Sequence, residues 1–281
     1  MITVIVVTFE QSVSASKPVN YLAEKLERGI LNDRLRLLIY DNSHEKQEMP
    51  PRYRSLVTYV HDASNAGVAG AYNYGLSLSS PDDWLLLLDQ DTELPKTFLD
   101  DLLPLIFRAG DDSGIVAIAP HAVSGTKIVS PCRVGLGGTL RPVSLTFQGV
   151  GRKEIRAINS GMAVRASFMS GIGGFDKTFW LDFLDHWLCR TIYESGKRIY
   201  VSDTVIHHDL SVCDYSKLSR NRAENILRAE SLFYRKCQPK YMQMLHAVHL
   251  VCRAAKQFVV VKDKAICRAT LLSAWRMIAQ R

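Results

Sequence analysis

The sequence predicts an α/β protein with a Rossmann-like, mostly parallel sheet and helices on both faces. Apolar, β-branched runs alternate along the chain with stretches whose apolar residues recur at helical spacing, an order typical of parallel sheets. The apolar runs are unbroken, as in WLLLL at residues 84–88, which is the pattern of strands that are buried on both faces. The length of 281 residues is enough for one large domain of this class or for two small ones.

The alternation of strand and helix is clearest in the first 120 or so residues. Residues 2–9 form an apolar, β-branched strand, and residues 19–30 carry Leu22, Leu26 and Ile30 at helical spacing. The same two patterns predict strands at 35–40, 56–60, 84–88 and 115–119, and helices at 69–78 and, behind Pro95, at 96–107.

The rest of the chain divides into a loop-rich part, a short α/β part and a helical end. Residues 121–158 are rich in Gly, Pro and Ser and have weak periodicity, so we expect loops and hairpins there. From Lys217 onward the pattern is mainly helical, with Pro239 between two segments. We therefore predict an α/β domain over 1–211 and a basic helical extension over 212–281. The elements predicted in between are strands at 158–164 and 198–201, a turn at 173–176 and a helix at 185–194.

Composition limits the partners and the compartment of the protein. The formal net charge of +7 suggests an anionic partner such as a nucleotide phosphate, a nucleic acid or an acidic membrane face. The six cysteines are scattered and form no C-x-x-C pair, which argues against a zinc or redox motif and favours a reducing cytosol. The N-terminal MITVIVVTF lacks the features of a signal peptide, and no apolar run approaches the roughly 20 residues that span a bilayer.

Acidic residues follow two of the predicted strands. Asp41 ends one strand, and Asp89 and Asp91 follow the WLLLL strand with Gln90 between them. Ligands of an open parallel sheet bind beyond the carboxyl ends of its strands, although aspartate at a strand end is also a common turn former. Paired carboxylates suit a hard cation such as Mg²⁺ or Mn²⁺ that is shared with substrate phosphates. The pattern therefore favours a metal and diphosphate site at this edge of the sheet.

Two later pairs of residues are further candidates for chemistry. His207 and His208 follow the last strand, and because neighbours in an extended segment point in opposite directions, we expect at most one to face the cleft. Either is otherwise a packed or solvent-facing histidine. Asp185 begins a helix behind an aromatic stretch, where it is either a general base or a helix N-cap. Asp182 is the rival candidate for the base.

A glycine-containing loop and the C-terminal helix complete the candidates. The loop NAGVAGAYN, which begins at Asn65 and includes Gly67, precedes a helix, and backbone amides at such a position favour anions. The C-terminal helix either packs its apolar face on the α/β domain or rests on an anionic membrane. Its apolar residues are Leu245, Val248, Val251, Cys252, Ala255 and Val259, and the basic residues around it are Arg253, Lys256, Lys262, Lys264, Arg268, Arg276 and Arg281.

Together these segments resemble family 2 glycosyltransferases of the GT-A fold, and within that family the bacterial rhamnosyltransferases. The resemblance covers roughly residues 1–211, and its pieces occur in the expected order. WLLLLDQDT and FLDHWLCR are the parts most similar to rhamnosyltransferases. The matching pieces are VIVVTF, IYDNS, NAGVAGAYNYGL, WLLLLDQDTELP, NSGMAVR, GGFDKTFWLDFLDHWLCR and HHDLS.

The resemblance implies a nucleotide-sugar donor, a divalent cation and a single displacement that inverts the anomeric carbon. Asp41 would contact the nucleobase or its ribose, Asp89 would lie near the ribose, and Asp91 would bind the metal. The loop-and-hairpin region could then shape a pocket for the acceptor. The residues expected to bind the donor are Asp41, Asn65, Gly67, Asp89 and Gln90.

The resemblance also assigns the base and a second metal ligand. Many relatives have Glu-Asp where this chain has Leu184 and Asp185, so Asp185 aligns with the general base and Asp182 stays as the alternative. The histidine usual near the last strand matches His208 best, with Ser211 in place of the usual glycine. We therefore predict that His208 takes part in metal binding.

The expected reaction is transfer of L-rhamnose from dTDP-rhamnose onto a hydroxyl of a lipid-linked surface polysaccharide, such as O-antigen. We expect a cytoplasmic enzyme that attaches peripherally to the inner face of the bacterial inner membrane through anionic lipid. One alternative is a transferase of the same fold that uses another nucleotide-hexose. A basic nucleic-acid-binding protein would need interleaved aromatic and basic residues on one surface, so no nucleic-acid partner is expected. A nucleotidyltransferase would show a glycine- and basic-rich loop after the first strand, which VTFEQSVSAS lacks.

Overall fold

The fold is given by a computed structural model that describes residues 1–29, 34–151, 153–208, 219–261 and 263–279. These residues form a nine-stranded sheet and a three-stranded sheet together with α-helices. The strands are β1 (Ile2–Thr8), β2 (Leu35–Asp41), β3 (Val57–His61), β4 (Trp84–Asp89), β5 (Ile115–Ser124), β6 (Lys127–Ser130), β7 (Cys132–Val134), β8 (Leu140–Pro142), β9 (Gly149–Val150), β10 (Ile155–Arg156), β11 (Ala163–Arg165) and β12 (Arg198–His207). The helices are α1 (Lys17–Glu27), α2 (Gly67–Ser77), α3 (Phe98–Gly110), α4 (Ala166–Gly171), α5 (Leu184–Glu194), α6 (Arg220–Cys237), α7 (Lys240–Val260) and α8 (Lys264–Ala279).

The larger sheet is mainly parallel, which confirms the predicted fold class. Its order is β3-β2-β1-β4-β11-β5-β12-β9, with β6 paired on β5. Strands β3, β2, β1 and β4 run parallel to one another, and β12 runs parallel to β5. Strand β11 is antiparallel to both of its neighbours, β4 and β5. The three-stranded sheet has the order β10-β7-β8 and is antiparallel.

The register of the parallel strands brings the acidic residues to one edge of the sheet. Thr8 at the end of β1 pairs with Asp41 at the end of β2. On the other side of β1, Val7 pairs with Asp89 at the end of β4. The two carboxylates therefore flank the end of β1, where the first predicted strand stops.

The unbroken apolar run of β4 is explained by burial on both sides. Leu85 and Leu87 pack in the hydrophobic cluster on one face of the sheet, whereas Trp84, Leu86 and Leu88 pack in the cluster on the other. Successive side chains of a strand point to opposite faces, so a strand covered by helices on both sides needs apolar residues at every position.

Several predicted elements differ from the structure in extent. The strand expected at 158–164 is limited to Ala163–Arg165, and the strands expected at 115–119 and 198–201 extend to Ser124 and His207. The loop-and-hairpin region contains several short strands, β6 to β10. The predicted features that lie outside the described residues are Ile30, Ser211, Lys217, Lys262, Arg281 and the boundary between residues 211 and 212.

The C-terminal helices and one face of the sheet belong to one continuous hydrophobic cluster. Phe233 of α6, Leu250 of α7 and Met277 of α8 belong to the same cluster as Ile5 of β1 and Leu87 of β4. Helix α7 begins directly after the proline that was expected to separate two helical segments. This face of the sheet therefore shares its core with the helical extension.

Candidate active site

A cleft with a volume of about 330 Å³ opens at the carboxyl ends of β1 and β4. Two parallel strands that end side by side leave their last side chains and the following turns at this position. The rest of the wall is formed by residues of α2, the loop before β11, the loop before α5, the first turn of α5, His208 after β12 and one residue of α6. Its polar lining consists of Thr8, Tyr72, Asp89, Gln90, Asp91, Asn159, Asp182, Asp185, His208 and Arg222.

The structure brings His208 next to both carboxylates of the D-x-D pair. Its Nε2 lies 3.6 Å from Oδ2 of Asp89, and its Nδ1 lies 3.4 Å from Oδ1 of Asp91. The His208 side chain is buried, whereas that of Asp91 is about half exposed (52%). By contrast, His207 is exposed and pairs through its backbone with Glu93. Of the two adjacent histidines, His208 is thus the one that lines the cleft.

Asp89 lies in a cluster of negative charge. Burial raises its pKa to about 6, the charge of His208 opposes this increase, and the carboxylates of Asp91 and Asp185 add to it. The backbone amide of Asp89 donates to Oγ of Ser160 at 3.1 Å, which fixes the turn after β4. A buried carboxyl that has two further carboxylates as neighbours favours a bound cation.

Gln90 links the ends of two strands through its side-chain amide. Its Oε1 accepts a hydrogen bond from the backbone amide of Phe9 at 2.8 Å, and its Nε2 donates to the carbonyl of Phe9 at 3.2 Å. The side chain predicted to bind a donor thus holds the end of β1 in place, while the residue as a whole still lines the cleft.

The two candidate bases have different surroundings. Asp182 forms a two-pronged ion pair with the guanidinium of Arg222 in α6, in which Nη2 donates to Oδ1 at 2.6 Å and Nη1 pairs with Oδ2. Asp185 accepts a hydrogen bond from the backbone amide of His186 at 2.7 Å. It is not the N-cap of α5, because that position is held by Phe183 in a left-handed conformation with φ 65°.

Asp41 is buried, and its carboxylate accepts hydrogen bonds from other groups of the protein. Burial raises its pKa, but hydrogen bonds from Ser43, Tyr59 and Gln47 outweigh this effect and lower the pKa overall. The hydroxyl of Tyr59 donates to Oδ2 at 2.5 Å, and the amide of Ser43 donates to Oδ1 at 3.0 Å. Asp41 is not part of the lining of the cleft, and its described contacts position the loop after β2.

The loop with Asn65 and Gly67 packs against Trp180. The indole of Trp180 donates to the carbonyl of Asn65 at 2.7 Å, and the Trp180 carbonyl accepts from the amide of Val68 at 3.0 Å. Gly67 has φ 70°, and a Cβ atom there would clash with the Trp180 carbonyl and lie 2.6 Å from its Cδ1. The space above this glycine is therefore filled by Trp180, which carries the loop that leads to Asp182 and Asp185.

Three buried polar atoms of the cleft have no hydrogen-bond partner among the described residues. They are Oγ1 of Thr8, the hydroxyl of Tyr72 and Oδ1 of Asn159. An unpaired buried polar atom costs about 1–3 kcal/mol, so a polar ligand in the cleft would recover part of this free energy. The arrangement is suited to a ligand with many oxygen atoms.

Sequence reasoning missed four residues of the cleft. Thr8, Tyr72 and Asn159 lie within VIVVTF, NAGVAGAYNYGL and NSGMAVR, so their segments were recognised although the residues were not. Arg222 had no such signal, because it is 40 residues from Asp182 and reaches the cleft only through the packing of α6.

The residues of the cleft fit a divalent cation of the Mg²⁺ or Mn²⁺ type. Such ions keep several waters and need only one or two carboxylates from the protein when substrate phosphates complete the shell. Asp91 offers an accessible carboxylate next to His208 and Asp89. A preformed cluster of three or more ligating side chains is not found in the part of the chain that the structure describes.

Comparison with known proteins identifies the family. Residues 3–164, more than half of the chain, match the model of glycosyl transferase family 2. The chain belongs to this family and is therefore a nucleotide-sugar glycosyltransferase, which implies a nucleotide-sugar donor and a saccharide acceptor. Comparison with curated protein sequences finds no match.

Three solved structures illustrate the similarity of the fold. TarS 1-349 from S. aureus has a TM-score of 0.61 and 14% identity, with 100% of this chain and 81% of that one covered. GalNAc-T7 with UDP, GalNAc and Mn²⁺ has a TM-score of 0.59 and 13% identity, with 100% and 56% covered. Mannosyl-3-phosphoglycerate synthase from Rubrobacter xylanophilus has a TM-score of 0.51 and 12% identity, with 84% and 74% covered. At these identities the similarity supports the GT-A fold alone.

No helix in the described ranges combines the length and the apolar character that crossing a bilayer demands.

Proposed function

We propose that this glycosyltransferase is an inverting, metal-dependent enzyme that transfers L-rhamnose from dTDP-rhamnose to a hydroxyl of a lipid-linked surface polysaccharide. The observation that carries the proposal is the cleft in which Asp89, Asp91, His208 and Asp185 meet at the carboxyl ends of β1 and β4. The unpaired polar atoms of the same cleft support a ligand rich in oxygen. The choice of rhamnose rests on the resemblance of WLLLLDQDT and FLDHWLCR to rhamnosyltransferases.

Asp91 and His208 would hold a Mg²⁺ or Mn²⁺ ion, with Asp89 beside them and close to the ribose. When bound, such an ion neutralises the charge that develops on a leaving diphosphate. The carboxylates of Asp91 and Asp185 next to buried Asp89 favour this arrangement, because a cation would offset their negative charge. GalNAc-T7, a structural neighbour, holds Mn²⁺ together with UDP.

Asp185 would accept the proton of the acceptor hydroxyl as that oxygen attacks the anomeric carbon from the side opposite the leaving group. Its carboxylate accepts a hydrogen bond from the His186 amide, and Asp185 lines the same cleft as Asp182. Arg222 would supply positive charge near the diphosphate, since its guanidinium lines the same cleft and is held by Asp182.

Calorimetric titration of sugar nucleotides with and without Mn²⁺ tests the proposal. We expect dTDP-rhamnose to bind more tightly than UDP-glucose, UDP-GlcNAc or GDP-mannose, and only with Mn²⁺ present. Asp91→Asn should lose most of the Mn²⁺-dependent binding, whereas Asp203→Asn, an exposed acid of β12 outside the cleft, should bind as the natural protein does. Tighter binding of another nucleotide-hexose would replace the donor, and binding that ignores both Mn²⁺ and Asp91→Asn would refute the metal site.

We also propose that α7 and α8 attach the enzyme to an anionic membrane surface. The apolar stripe of α7 that the sequence revealed faces outward, with Val248 61% and Val259 80% exposed. The inner face of the same helix carries His246 and Gln257. Helix α8 adds exposed apolar side chains, among them Trp275, and exposed basic residues lie around this surface. The further apolar residues are Tyr241, Met244, Leu245, Val251, Phe258, Val260, Leu271, Leu272 and Ile278, and the basic residues are Lys256, Lys264, Arg268 and Arg276.

This outward face suits a membrane because apolar burial and attraction to anionic lipid act together. Each basic residue near an anionic surface contributes about 1 kcal/mol, and insertion of the apolar face adds to this. In a cosedimentation assay, vesicles that contain phosphatidylglycerol should bind the protein. Binding should decrease at high salt, and it should also decrease in the double variant Phe258→Ser with Val259→Ser. Phe107→Ser, which removes an even more exposed phenylalanine in α3, is the control. Equal binding to neutral phosphatidylcholine vesicles, or a concentration-dependent dimer without vesicle binding, would contradict the proposal.

A further inference from the structure

Two cavities continue from the catalytic cleft beyond Asp185. The first, which we call the side chamber, has a volume of about 240 Å³ and shares Asp182, Phe183 and Asp185 with the cleft. The second, which we call the distal chamber, has a volume of about 260 Å³ and shares Phe183, Arg156 and His186 with the side chamber. Phe183 thus lines all three cavities. Tyr234 of α6 and His246 of α7 line the distal chamber.

The distal chamber contains buried polar atoms without partners. His246 is 2% exposed, and neither Nδ1 nor Nε2 of its ring has a hydrogen-bond partner among the residues that the structure describes. Arg156 is 5% exposed, and its Nε is likewise without a partner in the described residues. Buried polar groups are usually satisfied, so the unpaired nitrogen atoms of His246 and Arg156 at one cavity indicate a site for a ligand with hydroxyl groups.

The position of the His246 ring is fixed by its neighbours. It stacks on Tyr234 with ring centroids 3.5 Å apart and planes inclined by 7°. Its Nε2 lies 3.2 Å from Oε1 of Glu230, whose carboxylate also accepts two hydrogen bonds from Arg253, at 2.7 and 2.8 Å. A ring held in this way presents its free Nδ1 at one defined place, as a binding residue must.

The chemistry of the two chambers fits a neutral saccharide. Phe183, His186 and Phe233 form a connected aromatic wall, with ring centroids 4.6 Å apart for the first pair and 5.7 Å from each of these to Phe233. A sugar ring has an apolar face of C–H groups that packs on such a wall and an edge of hydroxyls that bonds to polar atoms. Arg253 is paired with Glu230 and Arg156 with Glu154, so the cations are already neutralised and a free anion is not favoured.

We propose that the side chamber and the distal chamber bind the acceptor saccharide, with the reacting sugar beside Asp185 and the preceding sugar against His246 and Tyr234. This inference rests on the proposed function, because it takes Asp185 as the base. It assigns the C-terminal helices a role in acceptor recognition, since α6 and α7 supply the walls of the distal chamber. With their combined space, the chambers reach the size of an ordinary small-molecule site.

The test compares monosaccharide and disaccharide acceptors. The probes are methyl glycosides of common hexoses and the corresponding disaccharide glycosides, and the readouts are transfer to the glycoside and hydrolysis of the donor by water. We expect the natural enzyme to show a lower KM for its best disaccharide than for the monosaccharide. His246→Leu should raise the disaccharide KM about tenfold, the loss of roughly one hydrogen bond, and leave donor hydrolysis unchanged. His246→Asn should restore part of the preference.

A matched control separates binding from stability. His121 is also a buried histidine with an unpaired Nδ1 in the described structure, but it lines neither chamber. His121→Leu should keep the preference for disaccharides. If His246→Leu does not fold, the ring signals of His246 in the natural protein, followed by NMR, should shift with a disaccharide and not with a monosaccharide.

The possible failures can be told apart. Absence of any sugar-nucleotide binding or donor hydrolysis would refute the proposed function itself. Two outcomes would overturn the proposed acceptor chambers alone, provided that donor binding is normal. One is an unchanged acceptor preference in His246→Leu, and the other is the absence of any shift of the His246 signals with the disaccharides of the panel. A rise in KM that is equal for monosaccharides and disaccharides would also overturn them.

Discussion

Single residues distinguish the two acids that the sequence offered as a base. Both carboxylate oxygens of Asp182 pair with the guanidinium of Arg222, which neutralises the charge of Asp182 within the protein. Asp185 is bound through the backbone amide of His186 and lines both the cleft and the side chamber. A base needs an oxygen that can reach the proton of the acceptor. On these contacts Asp185 suits the role of base, and Asp182 suits that of an anchor for Arg222.

Replacing each acid in turn tests this division. We expect Asp185→Asn to lower kcat by about 10²–10⁴-fold with little change in donor affinity, because general-base catalysis contributes about that much. Asp182→Asn should instead lower the free energy of unfolding by about 2 kcal/mol, the scale of hydrogen bonds between charged groups. Turnover with saturating donor and acceptor, donor titration and thermal unfolding are the measurements. A larger loss of turnover in Asp182→Asn than in Asp185→Asn would reverse the assignment.

Residues at strand ends could be placed from the sequence, whereas their hydrogen bonds could not. Asp89 and Asp91 follow an unbroken apolar run, and the rule that ligands sit beyond parallel strands was enough to locate them. Asp41 follows a similar run, yet Tyr59 and Ser43 occupy its carboxylate. A pattern of residue types shows where a side chain lies, but contacts across the fold decide whether its charge is free.

At the scale of elements, the start of α2 depends on one close contact. Gly67 has a positive φ, and Trp180 occupies the space that a side chain would need. We expect Gly67→Ala to lower the free energy of unfolding by about 2 kcal/mol or more, since left-handed backbone alone costs about 1–2 kcal/mol. Donor binding should weaken as well, because Trp180 carries the loop with Asp182. Chemical denaturation and donor titration are the measurements.

Gly110→Ala supplies the comparison for this change. Gly110 ends α3, has no positive φ, and a Cβ atom there would meet nothing within 4 Å. The substitution should leave stability unchanged or raise it slightly, because alanine restricts the unfolded chain. Equal changes in the free energy of unfolding for Gly67→Ala and Gly110→Ala would contradict this expectation. They would show that the close contact between Gly67 and Trp180 does not contribute to stability.

The elements that the sequence missed are those without a regular apolar pattern. Strand β12 was expected to end at Val201 because Ser202, Asp203 and Thr204 interrupt its apolar run. The structure continues the strand past an irregularity in register between Val201 and Val205. The short strands β6 to β10 have two to four residues each, which is too short for an alternation to be recognised.

At the scale of the whole molecule, the orientation of the C-terminal helices was beyond the reach of the sequence. Helical spacing shows that α7 has an apolar stripe, but the same spacing fits a face on the core and a face on a membrane. In the structure the stripe with Val248 and Val251 is exposed, and the buried face is offset and includes Gln243, His246 and Gln257. The packing of α7 against α8 and α6 decides which side of α7 is covered.

This packing includes a buried ion pair whose strength depends on pH. Glu230 of α6 is 5% exposed. Burial raises its pKa, but the contact with His246 and the hydrogen bonds from Arg253 of α7 lower it more, so that the pKa falls from 4.5 to about 2. A carboxyl with a depressed pKa stabilises the fold above its unfolded value, and this contribution is lost as the pH falls from about 4.5 toward 2. The shift corresponds to about 3 kcal/mol.

We therefore expect Glu230→Gln to lower the free energy of unfolding by about 3 kcal/mol or more at pH 7, because Arg253 is left with a neutral partner. The difference from the natural protein should shrink as the pH falls from 4.5, since protonation removes the same charge from Glu230. Urea unfolding between pH 7 and pH 3 measures this. Glu224→Gln, which removes a surface pair with Arg220 on the same helix, should cost less than about 1 kcal/mol. A difference for Glu230→Gln that stays constant with pH would mean that its charge does not hold α6 against α7, and the fixed position of His246 would then need another cause.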